Sequence, residues 1–226
     1  MAPWSAMKQY FAVDMSAGRF LRNTLAFSVL SLMPLLLLYV GLTPGFAGHL
    51  LEGGPALWRF LRQVVTNGLP VVFTINYLSF FLLALVRDSE GAKNAPLRLI
   101  ITDLLARLAI FILLHAAIYF VSAGWFGSFG GDRMTALRVV GPTLSRSALF
   151  ENISGVYLYA TLISALPLYI AAMEQTARER PTSHLAKLIR SLPGRIGAAL
   201  IALVLFGVFL LALSAAAWSI ATLQGR

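Results

Sequence analysis

Apolar positions along the chain fall into five runs, separated by short polar, basic or glycine-rich segments. A helix rises 1.5 Å per residue, so about 20 apolar residues cross the ~30 Å hydrocarbon core of a bilayer. The runs predict transmembrane helices over about 24–43, 69–86, 98–123, 150–173 and 196–222. Between them, apolar residues recur at helical rather than strand spacing, which predicts short amphipathic helices in the interface. One is the N-terminal arm, residues 1–23, where Trp4, Met7, Phe11 and Met15 share a face and Lys8, Arg19 and Arg22 meet phosphates. A second lies in 48–68, opened by Pro55 and closed by Asn67-Gly68, with Leu57, Trp58, Leu61 and Val65 on one face. A third lies in 174–195, carrying Leu185, Leu188, Ile189 and Leu192. A weaker one near Met134, Leu137 and Arg138 is expected to be cut by Gly141-Pro142. The expected fold is all-α: a polytopic integral membrane protein of about five transmembrane helices plus these interfacial pieces. It comprises a cytoplasmic arm (1–23), a single transmembrane domain (24–222) and a short tail (223–226).

Breakers refine this picture. Pro34 and Pro167 should kink the first and fourth spans. Arg87 to Gly91 reads as a tight polar turn, after which Asn94 and Pro96 open the third span. Aromatic and glycine residues interleave over 124–131, as in an interfacial belt. The first apolar run, 25–42, exceeds a typical signal h-region of ~7–15 residues, so it is expected to be retained as a span.

Composition supports membrane residence. Only 12% of residues are charged and 58% are hydrophobic, with mean hydropathy +0.79, against about 25% charged in soluble domains. The net charge of +9 does not imply nucleic acid, because the basic residues flank the apolar runs. There they set topology and meet anionic lipids, with Lys187, Arg190 and Arg195 the expected lipid contacts. Eleven Lys and Arg lie on the side of the N-terminal arm and six on the other, with Arg107 inside a span. That bias puts the N-terminus in the cytoplasm and the C-terminus in the periplasm. Arg outnumbers Lys and Ala is abundant, which suggests a bacterial inner membrane. The lack of cysteine excludes disulfides, thiolate metal sites and cysteine nucleophiles.

The third run carries the candidate chemistry: Asp103, Arg107 and His115 within one span. Four residues apart, Asp103 and Arg107 share a helix face. Arg107 lies ~14 Å beyond Arg98, near mid-membrane, where a lone charge costs at least ~2.5–3.5 kcal/mol. This helix is therefore expected to be the one around which the others pack. The pair reads either as a structural salt bridge or as a site for ions, protons, lipid headgroups or a partner. Asn76 completes the intramembrane polar cluster, and Tyr119, Tyr157 and Tyr159 are candidate neighbours. On the fifth span, Ala212/Ala216 and Ala217/Ala221 have the four-residue spacing of close helix packing.

Several enzyme classes fail on arithmetic. Only His115 lies deep, too few for a bis-histidine haem, and only Asp103 does, too few for an aspartyl dyad. His-Glu-x-x-His, a phosphate-binding glycine loop and a serine nucleophile in a Gly-x-Ser-Gly setting are all missing. No catalytic residue, metal or cofactor is expected, and no motif fixes a reaction or a family. The sequence favours a non-enzymatic accessory or structural subunit that packs against a membrane complex or its own oligomer. The alternatives are a small transporter or channel component using Asp103, Arg107 and His115 as a relay, and a lipid-handling membrane protein.

Overall fold

The computed structural model describes residues 16–52, 54–90, 96–125, 132–179, 181–192 and 196–224. The described residues form ten helices: α1 (Ala17–Leu42), α2 (Phe46–Glu52), α3 (Gly54–Gln63), α4 (Leu69–Glu90), α5 (Pro96–Trp125), α6 (Arg133–Ala148), α7 (Ile153–Ile163), α8 (Leu166–Glu179), α9 (His184–Arg190) and α10 (Ile196–Gln224). No strand occurs among them. Five helical stretches are long and apolar enough to cross a membrane: 18–42, 54–82, 98–121, 153–175 and 196–223. In a bilayer only helices or closed barrels satisfy every backbone polar group, so five apolar helices make a multi-pass membrane protein. Residues 1–15 of the N-terminal arm, with Trp4, Met7, Lys8, Phe11 and Met15, lie outside the described residues, as do most of the 124–131 glycines, while the rest of the arm, with Arg19 and Arg22, begins α1 rather than a separate helix.

Caps start the helices where the sequence offers an oxygen. Ser16, Asp132, Asn152 and Ser183 each accept a bond from a backbone N–H of the first turn they open, replacing a bond the ladder cannot supply there. Asn152 does more. Its Oδ1 accepts from Gly155 N (2.9 Å) and Ser147 Oγ (3.0 Å), and its Nδ2 donates to Thr143 O (3.1 Å). It pins the α6–α7 corner, where Phe150 takes the left-handed conformation (φ 61°). The corner is a Schellman closure: Glu151 N donates to Arg146 O and Phe150 N to Ser147 O. Phenylalanine here carries the strain glycine avoids, and its ring is held edge-on against Tyr39 and Tyr159.

Three local expectations are corrected. Asn67-Gly68 does not close α3. A π turn, Val64–Gly68, carries the chain from α3 into α4, and Gln63 and Leu69 keep helical angles on either side. Residues 87–90 continue α4 instead of turning. Gly141-Pro142 does not cut α6 either, which runs through both residues. Pro34 likewise lies within a single α1.

The packing order also differs from expectation. The fourth span is the most enclosed, 56% buried, against 22% for the third. Its first half, α7, touches α1, α4, α5 and α6. Small and polar residues such as Gly155, Ala160, Thr161 and Ser164 let neighbours approach it. On α5, Ile100, Leu104 and Phe111 face the core while Ile101, Leu105 and Leu113 turn outward. On α10 the close contacts lie at Gly197, Ala198 and Ala202. Ala217 is buried and Ala221 half-buried, but Ala212 and Ala216 are exposed, so that pair packs on nothing within the described chain.

Candidate functional site

The fourth span is broken, and its break builds the site. Proline cannot donate a backbone hydrogen, and its ring crowds the carbonyl four residues back. Unlike Pro34 and Pro142, which lie inside α1 and α6, Pro167 sits in the first turn of α8, where its missing donor costs no ladder bond. Ahead of it the ladder tightens. Ser164 N still reaches Ala160 O, but Ala165 N turns to Leu162 O (3.3 Å). The regular partner of Ala165 N would have been Thr161 O. That carbonyl is released from the ladder at the C-terminal, negative end of α7.

Arg107 takes it. Its Nη1 donates to Thr161 O (2.8 Å) and to Asn76 Oδ1 (2.6 Å), with Ser164 Oγ more distant at 3.4 Å. Its Nε donates to Asp103 Oδ2 at 2.8 Å, one turn back on α5. The guanidinium carbon lies 4.8 Å from the Phe80 ring centroid, within cation–π range. Asn76 passes the network on, its Nδ2 donating to Ser28 Oγ (2.8 Å), which donates to Thr24 O. Ser164 Oγ lies 2.6 Å from Asn76 Oδ1 and 2.7 Å from Thr161 O, both within reach of its single hydrogen. Tyr169 Oη donates to Asp103 Oδ2 at 2.6 Å.

The two ends of the ion pair thus hold the two halves of the broken span. Arg107 grips the end of α7, and Asp103, through Tyr169, grips α8. Asp103, Arg107 and Asn76 are each 0% exposed, so the charges are kept from lipid by pairing and hydrogen bonding rather than by snorkelling. Among the described residues, Asp103 Oδ1 and Ser79 Oγ are buried without a hydrogen-bond partner.

The sequence named some of these residues and missed others. Asp103, Arg107 and Asn76 come together. His115 is buried, but its Nδ1 faces Phe111 O at 3.0 Å and its ring lies 4.0 Å from that of Phe111. Both contacts stay on its own helix. Tyr119 lies twelve residues beyond Arg107 on α5, ~18 Å along the axis. Tyr157 packs on Gly68 in the π turn, where a Cβ would meet its ring at 2.4 Å. Tyr159 donates to Ala148 O at 2.6 Å. The expected tyrosine neighbours therefore belong to other contacts, and Tyr169 is the one that reaches Asp103. Thr161, Ser164 and Ser28 were also missed. Pro167 was the available signal, since a proline deep in a span frees carbonyls just ahead of it and a buried cation seeks them.

Of the expected lipid contacts, Lys187 is exposed and Arg190 donates from Nη2 to Ala177 O (2.8 Å), while Arg195 lies outside the described residues. No group of three or more metal-ligating side chains is found among the described residues. No protein-family model, curated protein or solved structure matches this chain.

Proposed function

We propose that the protein is a non-enzymatic subunit or accessory factor of the bacterial inner membrane, acting through helix packing with a larger membrane complex or with a second copy of itself. The observation that supports this reading is the inward closure of the polar network. Asp103, Arg107, Asn76 and Ser164 are spent on joining α4, α5, α7 and α8 to one another. The outer surface of the spans is left apolar, for example Leu203, Val204, Val208 and Leu211 on α10. A network used this way makes a rigid bundle with smooth flanks, suited to packing in lipid or against other helices. In this reading the N-terminus is cytoplasmic and the C-terminus periplasmic, and no cofactor is required.

Mild extraction of the tagged chain followed by native mass spectrometry tests the proposal. Stoichiometric partner proteins, or a defined homo-oligomer, are the expected result. A bare monomer under several mild detergents would sink it.

One observation favours a second reading, an ion or proton relay in a small transporter. Many secondary transporters place discontinuous helices and charged groups at mid-membrane. Here the fourth span breaks at the level of a buried ion pair, and one oxygen of Asp103 has no hydrogen-bond partner among the described residues. In proteoliposomes this reading requires ion or proton flux that Asp103→Asn abolishes while the protein stays folded. Absence of flux in the native chain removes it.

A further inference from the structure

The elbow between the fourth and fifth spans is held firmly on its inner side and left open on its outer side. Ser183 caps α9, and Ala186 and Ile189 are buried. Arg190 is tied by one nitrogen to Ala177 O near the end of α8. At the start of α10, a Cβ on Gly197 would lie 2.0 Å from Ile189 O, so the two backbones are in direct contact. The outer side of the same short helix combines apolar and cationic groups. Leu188 is 58% exposed and Leu192 39%. Ile196 and Leu200, the first exposed residues of the fifth span, are also apolar, and the Gly197–Ile189 contact sets the start of that span against α9. Lys187 is exposed beside it, and Arg190 keeps donors beyond the one that Ala177 occupies.

Exposed leucines on a short helix packed against the start of a membrane span belong at the acyl boundary, and cations on the same helix belong at headgroup level. We infer that this elbow is a binding site for an anionic phospholipid of the surrounding leaflet. Lys187 and Arg190 donate to the phosphate, and Leu188 and Leu192 contact the upper acyl chain. The fixed inner side makes the site pre-organised, since neither α9 nor the Arg190 stem has to be ordered on binding. Charge complementarity selects an anionic over a zwitterionic headgroup. The inference is independent of whether the bundle is a subunit or a transporter.

The purified full-length chain, in neutral detergent, is incubated with dioleoylphosphatidylglycerol or dioleoylphosphatidylcholine, and bound lipid is counted by native mass spectrometry. Preferential retention of phosphatidylglycerol is expected. Lys187→Gln should lower that retention about fivefold, the equivalent of ~1 kcal/mol per basic residue near a membrane surface. Leu188→Gln should weaken both lipids. Arg190→Gln also breaks the bond to Ala177, so the exposed Lys187 provides the decisive variant, with the melting temperature checked alongside. Equal retention of the two lipids overturns the inference, as does unchanged retention by a folded Lys187→Gln protein. Displacement of phosphatidylglycerol by millimolar inorganic phosphate would assign the cations to free phosphate and overturn it as well.

Discussion

A guanidinium that is fully enclosed halfway along a membrane helix must be answered by acceptors, and Arg107 has partners from two helices, α4 and α7, besides its ion-pair partner on α5. Removing one member of a buried pair leaves the other uncompensated, at a cost of about 3–5 kcal/mol. Arg107→Ala should therefore lower the thermal unfolding midpoint in detergent markedly. Replacing both charges, Asp103→Leu with Arg107→Met, should recover part of that loss, and a double variant worse than the single would contradict the account. Tyr169→Phe deletes one charge-assisted bond to Asp103 and leaves the pair intact. It should cost about 1–2 kcal/mol, read from the same melting curves. The residue types at this site were legible because an acid and a base four apart in an apolar run admit few alternatives. Tyr169 was not, since its reach to Asp103 depends on how two helices are rotated about each other, which neither helix's own periodicity records.

At the scale of elements, the fourth span breaks just ahead of Pro167. Pro167→Ala restores a backbone donor and removes the ring that crowds the preceding turn. The expected outcome is a continuous helix in which Ala165 N returns to Thr161 O and competes with Arg107 for it. Hydrogen exchange at residue 165 should slow relative to the native chain while overall stability falls. Unchanged exchange would show that the neighbouring helices, not the proline, impose the break. The α9–α10 elbow depends on backbone contact at Gly197. Gly197→Ala places a methyl against a backbone carbonyl that has no side-chain freedom to yield, so about 1–3 kcal/mol should be lost, measurable as a lower melting temperature. The interruption at Pro167 could be read directly, because its effect acts within one turn, whereas Pro142 was expected to cut α6 and does not. The run of α3 through a π turn into α4 could not, because Asn67-Gly68 has every local reason to end a helix. There the Tyr157 ring lies directly over Gly68, a contact only glycine permits.

For the whole molecule, the proposed orientation, with a cytoplasmic N-terminus and a periplasmic C-terminus, rests on the odd number of candidate spans and the bias of Lys and Arg. A C-terminal alkaline phosphatase fusion should be active in a bacterial host and a C-terminal green fluorescent protein fusion dark. The reverse pattern would overturn the orientation.

Hydrophobic run length, charge placement and the spacing of Asp103 and Arg107 determined by themselves that the chain is a helical multi-pass membrane protein with an acid and a base on one face of its third span. These features follow from the cost of exposing polar backbone and charge to hydrocarbon, which each segment meets on its own. Only the tertiary structure decided that the fourth span, not the third, is the enclosed helix, and that its two halves are held by the two ends of one ion pair. Which helix is surrounded depends on which can be approached most closely. Gly155, Ala160, Thr161 and Ser164 give that property to the fourth span, and it becomes visible only when the neighbours are in place.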